Sequence, residues 1–335
     1  MNIKNIFFAA AAAMALTACS SDDEQQAVVS QFPEDGVMRF TTNLVDPTAA
    51  QTRASITGND LNQNGQQFQV KIVNPTSATY SYFSTVQYDG TEWASYTRML
   101  WQNDEQMINV TAAYKQGKAF SDNEFVNGVN LTVAADQSSQ ANLNAQDLLT
   151  MPTKNVNPQI DLVNKKLVIN FYHALSKLNV TLTLGDEFYK NYEPKLNNAS
   201  DITDFTIKGT NAGYNFLPMQ TANENYGTVT VTASTAADIL AFQSAFTAAT
   251  DADKHSTATY ESIIVPQQIA IGALTVSFKI GTRSFSWTNT EPITLEQGKQ
   301  YTLPLTVGYD IVTAPARAFT ASYWETGGDG NLATE

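Results

Sequence analysis

The side chains that most often carry catalysis or bind metals are scarce in this chain. It has two histidines, His173 and His255, and one cysteine in 335 residues. Zinc-ligand spacing, a phosphate-binding glycine loop and a nucleophile elbow are all missing from the sequence. Asp251 and Asp253 could bind calcium loosely, but the spaced ligands of a dedicated calcium loop are lacking. A glycosidase requires two carboxylates at a set separation in a cleft, and a sequence alone does not specify that separation. We predict a protein that is not an enzyme and uses no metal or other cofactor.

Each histidine has neighbours that predict a role other than catalysis. His173 lies among apolar residues in the segment 171–178, which predicts a buried, hydrogen-bonded structural side chain. His255 lies in the polar segment 251–257, which predicts a solvated loop residue.

The cysteine stands at the end of an export signal. Lys4 precedes an apolar, alanine-rich segment from Ile6 to Leu16, which has the length of a signal peptide and is too short to span a bilayer alone. The sequence from Leu16 to Cys19 is similar to the lipobox of bacterial lipoproteins, in which the cysteine thiol receives diacylglycerol. An ordinary signal peptide beside a bystander cysteine is the alternative. We predict a signal peptide over residues 1–18 and a lipid anchor on Cys19, which also accounts for an unpaired thiol in an exported protein.

A short acidic segment after the cysteine indicates the site to which the protein is exported. Its residues are Ser20, Ser21, Asp22, Asp23 and Glu24. They are similar to the serine-plus-acidic tag of Bacteroidota lipoproteins that are sent to the outer face of the outer membrane. A solvated acidic linker over residues 19–31 is the simpler interpretation. The tag and the lipid together predict a surface-exposed lipoprotein of the outer membrane.

Charge and hydropathy limit the remaining function classes. The formal net charge of −13 at pH 7 argues against nucleic-acid binding, which requires clustered lysine and arginine, and does not favour anionic lipid surfaces. No second apolar stretch reaches 18 residues, so no transmembrane helix is expected. The length predicts two domains, and without disulfides each must depend on its own hydrophobic core.

Most of the chain has the alternating pattern of half-buried antiparallel strands, with frequent turn signals between them. The predicted strands are Val37–Thr42, Phe68–Val73, Met107–Ala112, Leu167–Phe171, Leu178–Leu182, Thr228–Val231, Leu274–Ile280 and Tyr301–Val307. The best helix candidate is Asp238–Ala249, because Ile239, Phe242 and Phe246 share one helical face. A short turn is predicted over Asn144–Met151, with Leu148 and Leu149 covering a sheet edge. The pattern predicts an all-β protein built from β-sandwiches.

The order of several segments resembles the fimbrillin family of Bacteroidales, the Mfa-like surface proteins that include fimbrial shaft and tip subunits. The segments that carry the resemblance are Met38–Thr42, Gln51–Ala54, Gly90–Trp93, Trp101, Asp147–Leu149, Leu167–Leu178, Ile264–Gln268, Leu295–Leu303 and Tyr323–Trp324. The family likeness implies two tandem transthyretin-like β-sandwich domains with a few short helices. The predicted domains are residues 32–172 and 173–335, with one long strand passing between them within 171–178.

The resemblance also implies a route of assembly. In family shaft proteins an arginine-specific surface protease cuts an N-terminal loop of the lipidated precursor, and the first strand is released from its groove. A strand from a neighbouring subunit then fills the groove, and this head-to-tail contact generates a fibre. Here Arg53 and Ala54 match the cleavage position, within a polar stretch that predicts an exposed loop. The simpler interpretation of Arg53 is a surface residue in a linker. The released strand would carry Met38, Phe40 and Leu44.

The C-terminal segment has two interpretations. Phe319, Ala321 and Tyr323 share one face of a predicted strand that could act as the donor, or that strand completes its own domain. We therefore expect a fimbrial shaft, tip or accessory subunit, or a lone surface lipoprotein. Other fimbrial subunits and the protease are its predicted partners, with a role in adhesion or biofilm formation and binding to host or bacterial surface ligands through variable loops.

A second function class comes from the aromatic residues of the first half. Tyr80, Tyr82, Phe83, Tyr88, Trp93, Tyr96 and Trp101 could form a stacking platform for sugars. The chain would then be a glycan-binding surface lipoprotein for nutrient uptake. Burial of the two tryptophans would instead indicate core packing.

Overall fold

The structure is a computed structural model, and it describes residues 30–44, 61–185, 188, 198–219, 227–232, 236–249, 255–309, 311–315 and 318–323. The predicted signal peptide, the features at Cys19, Ser20–Glu24, Arg53 and Ala54, and the carboxylates Asp251 and Asp253 lie outside these residues. Within them, no helix is long and apolar enough to cross a bilayer.

Strands dominate the described chain, so the predicted all-β class is confirmed. The strands are β1 (Phe40–Leu44), β2 (Gln67–Asn74), β3 (Ser77–Tyr88), β4 (Trp93–Ser95), β5 (Ile108–Lys115), β6 (Val129–Thr132), β7 (Leu148–Val156), β8 (Leu167–His173), β9 (Ser176–Leu184), β10 (Ile202–Asn211), β11 (Gly213–Leu217), β12 (Thr228–Val231), β13 (Ala236–Leu240), β14 (Phe242–Thr247), β15 (Thr257–Ile264), β16 (Gln267–Ile269), β17 (Thr275–Ile280), β18 (Arg283–Thr288), β19 (Ile293–Leu295), β20 (Lys299–Val307), β21 (Val312–Thr313) and β22 (Thr320–Tyr323). The helices are α1 (Asp122–Asn127), α2 (Gln140–Asn144) and a 3₁₀ turn at Ala199–Asp201. Each strand predicted from alternation overlaps an observed one.

The first sheet closes on itself in the order β1-β4-β3-β2-β5-β7-β8, with β8 pairing back to β1. Its inward side chains form one hydrophobic cluster, which includes Phe40, Phe68, Trp93, Ile169 and Phe171. The alternation of apolar residues along these strands is what directs them to a common interior.

The second half contains a four-stranded sheet, β13-β10-β17-β18, and a larger sheet, β14-β15-β9-β20-β21, in which β22 also pairs with β20. Side chains from both sheets share a second cluster. At its centre the Phe205 ring stacks on Tyr260 with centroids 3.7 Å apart, and Phe278 lies 5.8 Å from Phe205 on centroids. Two smaller sheets, β16-β19 and β12-β11-β6, complete the described structure.

The segment from Phe120 to Leu148 packs with the second cluster although it precedes β8 in sequence. Phe125 of α1 and Leu143 of α2 are fully buried there, and β6 pairs with β11. The predicted turn over Asn144–Met151 is wrong, because α2 ends at Asn144 and β7 begins at Leu148. Leu148 and Leu149 do not cover an edge: consecutive strand residues face opposite sides, so Leu148 joins the second cluster and Leu149 the first.

The predicted helix at Asp238–Ala249 is also wrong, since the segment forms β13 and β14. Ala241 separates these strands, and the chain moves there from one sheet to the other. Ile239 and Phe242 lie on opposite sides of this break, and a register shift between Gln243 and Ala245 separates Phe242 from Phe246. The helical spacing of Ile239, Phe242 and Phe246 therefore arises in strands that belong to different sheets, and not in a helix.

Candidate functional site

Strand β1 is held mainly by one neighbour. It runs parallel to β8 over five residue pairs, from Phe40 opposite Leu167 to Leu44 opposite Phe171. On its other side, among the residues that the structure describes, β1 pairs with β4 only through Phe40 and Trp93. The backbone N–H of Leu167 donates to the Arg39 carbonyl at 2.8 Å. β1 thus closes the first sheet through an extended ladder on one side and a single pair on the other.

The side chains predicted to leave with the first strand are buried. Met38, Phe40 and Leu44 all belong to the first hydrophobic cluster, and Phe40 is 1% exposed. The Phe40 ring meets Phe68 edge-on, with centroids 6.3 Å apart. Phe68 in turn contacts Phe171 at 5.4 Å between centroids. Burying each of these three side chains contributes about 1.5–3 kcal/mol, so loss of the segment that carries them would leave an apolar groove.

Polar contacts fix the register of β1. Asn43 Nδ2 donates to Asn170 Oδ1 at 3.1 Å, and these residues are also partners in the ladder. The Thr42 hydroxyl donates to Asn62 Oδ1 at 3.2 Å. The same Asn62 oxygen accepts from the buried Trp93 indole N–H at 3.0 Å. Asn62 therefore joins β1 to the loop before β2 and to β4.

Replacement of Asn62 by alanine tests this link. The Asn62→Ala variant removes the protein acceptor of the Trp93 indole N–H, which is expected to lower the free energy of unfolding by about 0.5–1.5 kcal/mol. Asn62→Asp replaces the amide oxygen by a carboxylate oxygen, which is also an acceptor, and is expected to retain most of the stability. Urea denaturation of both variants measures the difference, and equal losses would contradict the role of the Asn62 oxygen.

Exposed charges hold the chain just before β1. Arg39 makes a bidentate pair with Asp35, at 3.0 and 2.6 Å. The hydrogen bond from Arg39 holds the pKa of the Asp35 carboxyl well below its usual range. Lys165 Nζ lies 3.4 Å from a Glu34 carboxylate oxygen. Surface pairs of this kind contribute little to stability, so the apolar side chains and the ladder account for most of the binding of β1.

The C-terminal strand occupies its own sheet. β22 pairs antiparallel with β20 over four residue pairs. The half-buried Phe319 and Ala321 pack against the second cluster, and the Phe319 ring lies 6.1 Å from Trp287 on centroids. In the structure this segment therefore completes its own sheet.

Two buried polar pairs lie near the passage from β8 to β9. His173 Nδ1 is 3.0 Å from Asp147 Oδ1, and both side chains are fully buried, which confirms the predicted burial and hydrogen bonding of His173. Lys177 Nζ lies 2.6 Å from Glu261 Oε2, with both side chains almost inaccessible. His255 is exposed, as predicted. Within the described ranges, no three His, Cys, Asp or Glu side chains lie close enough to share a metal ion.

The aromatic residues of the first half are mostly packing residues. Trp93 and Trp101 are buried in the first cluster, and the half-buried Tyr80 donates its hydroxyl to the Leu100 carbonyl at 2.6 Å. Tyr96, by contrast, is 64% exposed. The two tryptophans are thus not available as a stacking surface for sugars.

Two features of this region could not be predicted from the sequence: the partner of β1 and the partner of Lys177. The pairing of β1 with β8 joins residues more than 120 positions apart, and alternation does not specify a strand's partner. Lys177 lies within a segment that the family resemblance had already marked, but its partner Glu261 lies in a segment that carried no motif.

One comparison with known proteins shows the family of this chain, and another shows its fold. The profile described as fimbrillin-like matches residues 52–324. No curated protein sequence matches significantly. A proposed cell adhesion protein from Bacteroides uniformis has a similar solved structure, with a TM-score of 0.53, 16% identity, and coverage of 87% of this chain and 99% of that one. Another, from Bacteroides ovatus, has a TM-score of 0.54 and 12% identity, covering 85% and 95%. At these identities the structures show a common fold, while the profile covers most of the sequence. The chain belongs to the fimbrillin-like family.

Proposed function

We propose that this protein is a fimbrial subunit that is exported as a lipoprotein precursor and assembled by strand exchange. Cys19 carries the lipid, the tag from Ser20 to Glu24 directs the chain to the cell surface, and cleavage between Arg53 and Ala54 frees the strand that carries Phe40. The subunit acts in the shaft, at the tip or as an accessory component, with a role in adhesion or biofilm formation.

The observation that carries this proposal is the way β1 is bound. Its ladder lies almost wholly on β8, and its inward side chains fill an apolar site beside Phe68. Before cleavage, β1 is part of the same chain and rebinds at once whenever it opens. After cleavage this high effective concentration is lost, and a strand from another subunit can compete for the site.

The C-terminal segment supplies a matching pattern. Phe319, Ala321 and Tyr323 repeat the spacing of Phe40, Thr42 and Leu44, with an aromatic, a small and a large residue in the same order. A second copy of the chain, or a related subunit with such a segment, therefore fits the site left by β1. If β22 itself acted as the donor strand, it would first have to leave β20 and lose four residue pairs.

The proposed partners follow from these steps. They are other fimbrial subunits, an arginine-specific surface protease, and the outer membrane through the lipid on Cys19. We also propose two domains, residues 32–172 and 173–335. The two hydrophobic clusters support a division into two domains. The segment from Phe120 to Leu148 departs from these bounds, because it packs in the second cluster although it precedes residue 173.

The proposal is tested with Cys19→Ser protein treated with an arginine-specific protease. We expect a new N-terminus at Ala54 and a ladder of multimers on an unboiled denaturing gel that collapses on heating. The matched control is Arg53→Lys, which keeps the positive charge but is not cut by the protease. Its product is expected to remain monomeric.

Two results would contradict parts of the proposal. Absence of cleavage at Arg53 would overturn the processing step and favour a stand-alone surface protein. Efficient cleavage that yields monomer alone would overturn self-assembly, and the chain would then serve at a tip or as an acceptor for a different subunit.

A further inference from the structure

We infer that residues 167–171 of β8 form an acceptor strand that is ordered as part of a sheet only while a parallel strand is bound to it. This inference rests on the proposed function, in which β1 is the strand that leaves. The inference adds that the backbone amides of 167–171 lose their protection from hydrogen exchange when β1 leaves. The segment then becomes ordered again when its next partner binds.

The pairing of β8 is divided between two neighbours. Its first five residues pair with β1. Only its last two residues pair with β7, His173 opposite Leu149 and Tyr172 opposite Thr150. In the described part of the chain, no other strand pairs with 167–171.

The structure of β7 explains why its ladder with β8 stops. Pro152 lies two residues beyond Thr150 and has no N–H to donate. The pairing of β7 with β5 also shifts register between Val110 and Ala112, opposite this part of β7. The ladder between β7 and β8 ends at Thr150, and among the described strands only β1 pairs with residues 167–171.

The acceptor strand also selects the kind of partner. Leu167, Ile169 and Phe171 are buried, so they present an apolar face beside which a partner must place its own inward residues. The side chain of Asn170 lies on the other face, where it accepts from the Asn43 amide. The partner is an extended peptide, parallel to β8, with an aromatic residue, a small residue and a large apolar residue at alternate positions, and a hydrogen-bond donor opposite Asn170.

Hydrogen exchange on the cut Cys19→Ser chain tests the inference. The cut protein is separated from its N-terminal fragment, and release of that fragment is verified by mass. We expect exchange at the amides of 167–171 to rise by about 100-fold or more relative to the uncut chain. The amides of Gln69–Val73 in β2, which keep β3 and β5 as neighbours, are expected to change by less than about 10-fold.

A synthetic peptide of residues 36–45 is then added to the cut chain. We expect it to restore protection at 167–171, whereas the same peptide with Phe40→Asp is expected to have no effect. Protection that persists at 167–171 after the fragment has gone would overturn the inference while leaving strand release intact. If hydrogen-exchange protection were lost equally at 167–171 and in β2, the cut chain would be unfolding as a whole, and the inference would be overturned. A fragment that cannot be separated without denaturant would instead contradict the proposed function.

Discussion

Replacement of Lys177 by methionine is expected to lower the free energy of unfolding by about 3–5 kcal/mol. Lys177 and Glu261 form an ion pair at 2.6 Å, and their side chains are 1% and 0% exposed. Without the lysine, the Glu261 carboxylate stays buried with no opposite charge. The loss therefore comes mainly from the uncompensated anion, and urea denaturation of the variant measures it.

A double variant separates this cause from ordinary packing loss. In Lys177→Met/Glu261→Leu both charges are replaced by apolar groups, and most of the stability is expected to return. As a surface control, Lys279→Met breaks the exposed pair with Asp204, and this change is expected to cost less than about 1 kcal/mol. A double variant as unstable as Lys177→Met would contradict this account.

Substitution of Gly209 by alanine is expected to cost about 3 kcal/mol or more, because two penalties act together. Gly209 in β10 has a φ of +90°, which L-residues seldom adopt. A Cβ atom there would lie 1.8 Å from the Ala273 carbonyl oxygen, and this neighbour is backbone. The turn before β17 would have to move, which disturbs the pairing of β10 with β17. Thermal or urea unfolding measures the loss.

Gly272 provides the matched control. It also has a positive φ, +76°, but an added Cβ would meet nothing within 4 Å. Gly272→Ala is therefore expected to cost only the backbone strain, about 1–2 kcal/mol. If the two alanine variants were equally stable, the close approach of Ala273 would not be the reason for glycine at position 209.

The local alternation of apolar residues predicted the strands correctly, but it did not predict to which sheet each strand belongs. The run from Leu167 to Phe171 is apolar at every second residue, and it forms β8 with that same set buried. The helix prediction for Asp238–Ala249 was wrong because the alternation changes phase at Ala241, where the chain moves from one sheet to the other. A phase change of this kind depends on tertiary structure, which a window of a few residues does not contain.

The candidate site was predictable in its residues but not in its geometry. Alternation and the family resemblance together identified Met38, Phe40 and Leu44, and all three are buried. That β1 lies parallel to β8, and that 167–171 has no second neighbour in the described chain, depends on pairing between distant segments. Hydrophobic pattern specifies which face of a strand is buried and leaves its partner open.

The central claim, that β1 must leave before subunits join, is tested most directly by locking it in place. Asn43→Cys and Asn170→Cys, in Cys19→Ser protein, put two thiols at partner positions of neighbouring strands. Their Cα atoms are about 4.8 Å apart in such a pair, which suits a disulfide. After cleavage at Arg53, the oxidised protein is predicted to remain monomeric, and reductant is predicted to restore the heat-sensitive ladder. The parent Cys19→Ser protein should form the ladder with or without reductant. A ladder from the oxidised protein would contradict the claim, because subunits would then join while β1 is still in place.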